Sequence, residues 1–137
     1  MPRRKRSPLH CHEEAPTEPF TDSAEAWFWF ARCQLLRRDG ARLERSSGQA
    51  RRPCDPDDIY RIALTLHREG RLSDAHLRVL ARYGSMLRPP DERLNEEAAH
   101  APLWHAALDR LSTPLVAKGI VCPADYRDFD NDNHRHW

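Results

Sequence analysis

Guanidinium groups dominate the chemistry open to this chain. Between Arg32 and Arg88 stand thirteen arginines against seven acids, and from Asp91 onward the balance reverses to nine acids against five bases. Arginine binds phosphate bidentately, and phosphate contacts supply most of the non-specific affinity for nucleic acid. Such asymmetry orients a molecule toward an anionic partner. The side chains expected to serve are Arg42, Arg45, Arg51 and Arg52 in a connector, as grips on phosphate. Arg71, His76, Arg78 and Arg82, in or beside a later helix, would read bases or touch phosphate. One bland explanation stands beside this. Only Lys5 and Lys118 are lysines, and a GC-rich coding sequence would put arginine for lysine with no functional purpose.

Other chemistry is thinly supported. His10-Cys11-His12 and the pair His134, His136 hold nitrogen and sulfur donors, but no pair has the spacing of a structural zinc site. No metal or cofactor is expected. Asp128, Asp130 and Asp132 alternate like the start of a calcium loop. Asn133 stands where the turn glycine belongs, and no bidentate Glu follows in the sequence. Asp57 and Asp58 are neighbours on a predicted helix, so they diverge and cannot flank a substrate together. Capping already explains them. There is no Gly-rich phosphate loop, no G-x-S-x-G and no H-E-x-x-H, so no catalytic residue is assigned and an enzyme is not expected. Cys11, Cys33, Cys54 and Cys122 lack the spacing of a disulfide framework.

The elements that would position the arginines are legible from their ends. In DPDDIYRIALTLHREGRLSDAHLRVLARYG, residues 55 to 84, Asp55 suits an N-cap and Pro56 the first helical position. Asp57 and Asp58 suit the first turn, where the helix dipole favours negative charge. Ile59, Ile62, Ala63 and Leu66 make one apolar stripe. Gly70 offers a left-handed stop. Ser73 opens a second helix carrying Leu77, Leu80 and Ala81 on one face, and Gly84 is expected to end it. With only Gly70-Arg71-Leu72 between them, the two helices are expected to lie close, with Leu72 plugging their angle. The pair is helix-turn-helix-like, the second helix being the one such a motif puts into the major groove.

Before it, Asp22 and Glu25 stand at capping-box spacing. Trp27, Phe28, Trp29 and Phe30 then point around a helix that Asp39-Gly40 closes. An aromatic block on all sides is expected at the centre of a core. After it, Asp91 is the expected cap of a helix from Glu92 to about His100. Pro102 must kink that helix or begin another. The stripe Leu103, Trp104, Ala107, Leu108 and Leu111 is read as a core face, or as a surface for a protein partner or a second copy. Ile120-Val121-Cys122 can extend briefly, and Lys118-Gly119 suits a helix stop.

The fold class is therefore all-α: a small bundle of four or five short helices around Trp27, Phe28, Phe30, Leu66, Leu80, Trp104 and Leu108. Residues 1–20 are expected as a disordered basic tail, 21–122 as the helical domain and 123–137 as a loose acidic tail. No apolar run approaches the roughly 18 residues of a membrane span, and the N-terminus lacks the apolar centre of a secretory signal. A cytoplasmic location and no membrane partner are expected. The leading expectation for function is a small regulatory protein that binds nucleic acid through its arginine-rich middle. The alternative is a helical interaction or adaptor module without nucleic-acid contact.

Overall fold

The computed structural model describes residues 17–40 and 51–123. Among them are four helices: α1 (Ser23–Arg38), α2 (Pro56–Arg68), α3 (Asp74–Met86) and α4 (Asn95–Ala117). The architecture is all-α. The described residues contain no strand, only two isolated parallel bridges, Thr17 with Arg51 and Phe20 with Val121.

The first three helices begin where side chains satisfy their free N–H groups. Asp22 Oδ1 accepts from the Glu25 N–H at 2.9 Å, and Glu25 Oε1 accepts from the Thr21 N–H at 2.7 Å. The box is reciprocal but reaches one residue further back than the usual form. Asp55 caps α2, and its own N–H donates to Asp58 Oδ2 at 2.9 Å. Ser73 Oγ caps α3 by accepting from the His76 N–H at 3.2 Å. Gly40, Gly70 and Gly119 follow α1, α2 and α4 with φ near +80°, a region that costs glycine nothing.

The end of α3 departs from expectation. Gly84 lies inside the helix, and the left-handed position falls to Leu87, at φ 54°. Gly84 is spent on packing instead. A Cβ placed there would sit 2.9 Å from Trp27 Nε1 and 3.4 Å from the Ala31 Cβ. The indole N–H of Trp27 donates to the Leu80 carbonyl at 2.9 Å, so α1 and α3 approach backbone to ring.

α4 also differs. It is one helix through both Pro102 and Pro114, and it starts at Asn95 with Leu94 as its N-cap rather than Asp91. Each interior proline removes a ladder bond, at a typical cost of about 3 kcal/mol. The inward stripe Ala101, Trp104, Ala107, Leu111 and Leu115 is buried along its whole length, and that burial outweighs the interruptions. Pro102 faces solvent, so its missing bond lies on the wet side. Asp91 serves the approach to α4. Its N–H donates to Glu97 Oε1 at 2.8 Å, while Arg88 grips the same buried carboxylate at 2.7 and 2.9 Å.

The core brings together Trp27, Phe30, Ile59, Ile62, Leu66, Leu80, Tyr83, Trp104 and Leu111, with Phe28, Trp29, Leu103 and Leu108 half-buried against it. Part of the aromatic block is thus central and part forms the edge. Within the Leu103–Leu111 stripe, Trp104, Ala107 and Leu111 are buried in the chain's own bundle, and Leu103 and Leu108 lie half-buried at its edge. Phe20, expected within a tail, is fully buried. Its N–H donates to the Ile120 carbonyl at 2.8 Å and its carbonyl accepts from the Cys122 N–H at 2.9 Å. The two ends of the described chain are stitched together there, which is the brief extension at Ile120–Cys122. The parts of the expected tails at 1–16 and 124–137 lie outside the described residues.

Candidate functional site

Helices α1 and α4 each pack on every other helix, whereas α2 and α3 scarcely meet. This corrects the expectation that a short turn forces them together along their length. The turn itself is tight. The Arg71 and Leu72 N–H groups both donate to the Leu66 carbonyl, at 2.8 and 3.2 Å, and Leu72 is buried in the angle. His67 Nε2 lies 2.7 Å from Asp74 Oδ1 across it. Beyond that point the helices diverge, because each follows α1 and α4 rather than its partner.

The divergence leaves a groove of about 320 Å³ between α2 and α3, floored by α1. Trp27, Phe30, Ala31 and Leu35 form the floor; Tyr60, Ala63 and Leu64 form one wall, and Leu77, Leu80, Ala81 and Gly84 the other. Its surface is overwhelmingly apolar. Tyr60 is 46% and Leu64 36% exposed, so two large side chains of the α2 wall reach water. The Tyr60 ring is held rather than loose, stacked on Phe30 with ring centroids 5.7 Å apart. Volume and lining are those of a small binding cleft.

Charge collects at the rim. Arg38 lines the groove at the end of α1. Arg78 follows Leu77 and precedes Ser85 by two turns, which puts it at the edge of the α3 wall. Neither has an ion pair among the described residues. Arg61 and Arg68 flank Leu64 on α2. Arg61 pairs with Asp58 at 3.1 Å, and Arg68 donates to Thr65 Oγ1 at 3.4 Å. Two acids of the flanking helices are engaged, Asp57 with Arg37 at 3.4 Å and Asp74 with His67 at 2.7 Å, while Asp39 follows Arg38 at the end of α1. The rim is therefore positive around an apolar cleft.

The arginines singled out from the sequence fall in separate neighbourhoods. Arg42 and Arg45 lie outside the described residues. Arg51 belongs to the bridge with Thr17, its carbonyl accepting from the Glu18 N–H at 2.7 Å. Arg52 lies 4.3 Å over the Phe20 ring, donates to the Glu18 carbonyl at 3.1 Å and stands 3.8 Å from Glu25. Arg71 is at the α2–α3 turn, 3.9 Å from Glu69. Arg82 is 3.9 Å from Glu96 and 5.5 Å over the Tyr83 ring. His76, expected on the outward face of α3, is buried instead, its Nδ1 held by the Ser73 N–H at 3.0 Å. Of these arginines, among the described residues only Arg78 is both exposed and without an acidic partner. The residues that meet are instead Tyr60, Leu64, Leu35 and Arg38. Tyr60 and Leu64 flank the apolar stripe of α2, and that position is the one signal that pointed to them.

Two of the described cysteines are poor nucleophiles. Burial, with Asp58 and Asp55 nearby, pushes the Cys54 thiol up to about 11, and burial raises Cys33 as well. Both are therefore protonated and inert at neutral pH. Among the described residues no three His, Cys, Asp or Glu side chains converge on a metal position, and no helix is long and apolar enough to cross a membrane. No protein-family model, curated protein or solved structure matches the chain.

Proposed function

We propose that the protein is a helical interaction module whose α1–α2–α3 groove takes one amphipathic helix bearing acidic residues. The observation that carries this is the apolar cleft between α2 and α3, with Tyr60 and Leu64 open to water and Arg38 and Arg78 unpaired at its edge. Amphipathic helices dock by laying apolar anchors at i, i+3, i+4 and i+7 into such a cleft. Carboxylates flanking those anchors meet the basic rim, which selects orientation and speeds encounter more than it adds affinity.

The test is a series of labelled helical peptides with identical apolar anchors and acidic, neutral or basic flanks, titrated against the full chain by fluorescence anisotropy. The acidic member is expected to bind at least about tenfold more tightly than the basic one at low salt, and the difference should shrink as salt rises. Equal affinity for all three, or none for any, would remove the reading.

A second reading is favoured by Arg78, exposed and unpaired on the second helix of the pair: binding of nucleic acid through the arginine-rich middle. Its mark is duplex binding that falls steeply with salt and loses about one counter-ion's worth of slope in Arg78→Ala. Tight, salt-sensitive duplex binding without any response to the peptides would put this reading first.

A further inference from the structure

A second cavity, of about 390 Å³, lies away from the groove, between the α2–α3 turn and α4, and is bordered by Gly70, Arg71, Asp109, Arg110 and Thr113. Beside it is a contradiction in hydrogen bonding. His76 is buried, and its Nδ1 accepts from the Ser73 backbone N–H at 3.0 Å, with Ser73 Oγ at 2.9 Å. A backbone N–H can only donate, so this bond assigns the proton away from Nδ1. The opposite tautomer, with Nδ1–H on Ser73 Oγ and Nε2 accepting from Arg110, would cost the Ser73 N–H its partner. In a neutral imidazole the proton is then on Nε2. Nε2 faces the Arg110 guanidinium, with Nη1 at 3.3 Å. Arginine has donors and no acceptor. Two donors are thus aimed into one place with nothing between them to accept.

The Arg110 guanidinium finds only the Arg71 carbonyl besides, at 3.4 Å, and no carboxylate. Asp109 borders the same cavity yet makes no ion pair among the described residues. An oxygen can lie within ordinary hydrogen-bond distance of both Nη1 and Nε2, since the two donors are close to each other.

We propose that this cavity is an oxyanion site, in which one oxygen of a phosphate group on a small molecule bridges Arg110 and the His76 Nε2–H while Arg71 closes on the others. Arginine forks match phosphate geometry, and charge-assisted bonds of this type are the strong ones. Burial and the Arg110 charge lower the basicity of His76, which favours the neutral imidazole, and the Ser73 N–H on Nδ1 is what assigns its tautomer. Thr113 adds a hydroxyl at the wall. Asp109, and Glu69 at 3.9 Å from Arg71, oppose the anion and so set a modest affinity.

The experiment is a titration of the isotope-labelled full chain with inorganic phosphate at constant ionic strength, following the His76 ring and Arg110 side-chain signals by NMR. A saturable change at millimolar phosphate is expected, with a hydrogen-bonded His76 Nε2–H resonance emerging as the site fills. Arg110→Gln, at an exposed position, should weaken binding about tenfold or more. Asp109→Asn should tighten it, and Arg93→Gln should leave it unchanged. A short DNA duplex in a parallel titration separates the sources of phosphate. Response to inorganic phosphate alone supports a small-molecule ligand, and displacement of phosphate by the duplex would replace that ligand with a nucleic-acid backbone. Signals that stay fixed through the phosphate titration, or an Arg110→Gln protein that titrates like the parent, would overturn the site.

Discussion

The inward stripe of α4 and the groove between α2 and α3 are both apolar, and they differ in who covers them. Trp104, Ala107 and Leu111 lie on the helix that packs against all three others and are sealed. Tyr60, Leu64, Leu35 and Leu77 have a floor and two walls but no roof. Both patterns look alike along the sequence, as Leu, Trp or Tyr at helical spacing. The difference arises from the divergence of α2 and α3, which no local pattern encodes. Apolar surface enclosed by its own chain stabilises the fold. Apolar surface left open, with a charged rim, is available to another molecule.

Substitutions break that comparison in order of size. Trp104→Ala removes the largest sealed side chain and should cost about 3–5 kcal/mol in urea unfolding, enough to threaten folding in a domain of this size. Gly84→Ala tests the close passage of α3 over Trp27. The added methyl must displace the indole or break its bond to the Leu80 carbonyl, at about 1–3 kcal/mol. A smaller response to that change would mean that α1 and α3 can slide. Leu64→Glu should shift stability by no more than about 0.5 kcal/mol, as for other surface positions, while abolishing capture of the acidic peptide. A large loss of stability from Leu64→Glu would show that the groove is core.

Acid sharpens the contrast from the other side. The paired bonds from Arg88, with the Asp91 N–H, hold Glu97 down at about 2, and Arg93 holds Asp91 at about 2. Both carboxyls have folded-state values below their unfolded ones. Their contribution is therefore complete above about pH 4.5, the ordinary Glu value, and fades as pH falls toward 2. Thermal unfolding midpoints should drop over that window, and Glu97→Gln should flatten the drop. The groove contains no carboxylate among its lining residues, so its geometry should survive until the fold itself is lost.

Much of the fold was legible because helix ends are local. Asp22, Asp55 and Ser73 each carry their capping chemistry within a few residues, and Gly40, Gly70 and Gly119 mark stops by needing φ above zero. The errors came where tertiary packing overrode local preference. Pro102 looks locally like a kink or a new start, but a stripe buried against three helices carries α4 through it and through Pro114. Gly84 was read as a stop because the sequence cannot show that Trp27 passes over it. Phe20 was placed in a tail because its partners, Ile120 and Cys122, are about a hundred residues away. The site was less legible still. Charge counting found the arginines but not their pairing, so Arg52, Arg71 and Arg82 looked free when carboxylates stand within 4.0 Å of each. Tyr60 and Leu64 read as flanks of a core stripe, and only the splay of α2 from α3 turns them into the lip of a cleft.

The most direct measurement is an NMR map of backbone and methyl signals in the full chain as the acidic amphipathic peptide is added. The account predicts that the largest changes fall on Leu35, Arg38, Tyr60, Leu64, Leu77 and Ala81, with Trp104 and Leu111 unmoved. Changes centred on the solvent face of α4, or on Arg51, Arg52 and Phe20, would contradict it.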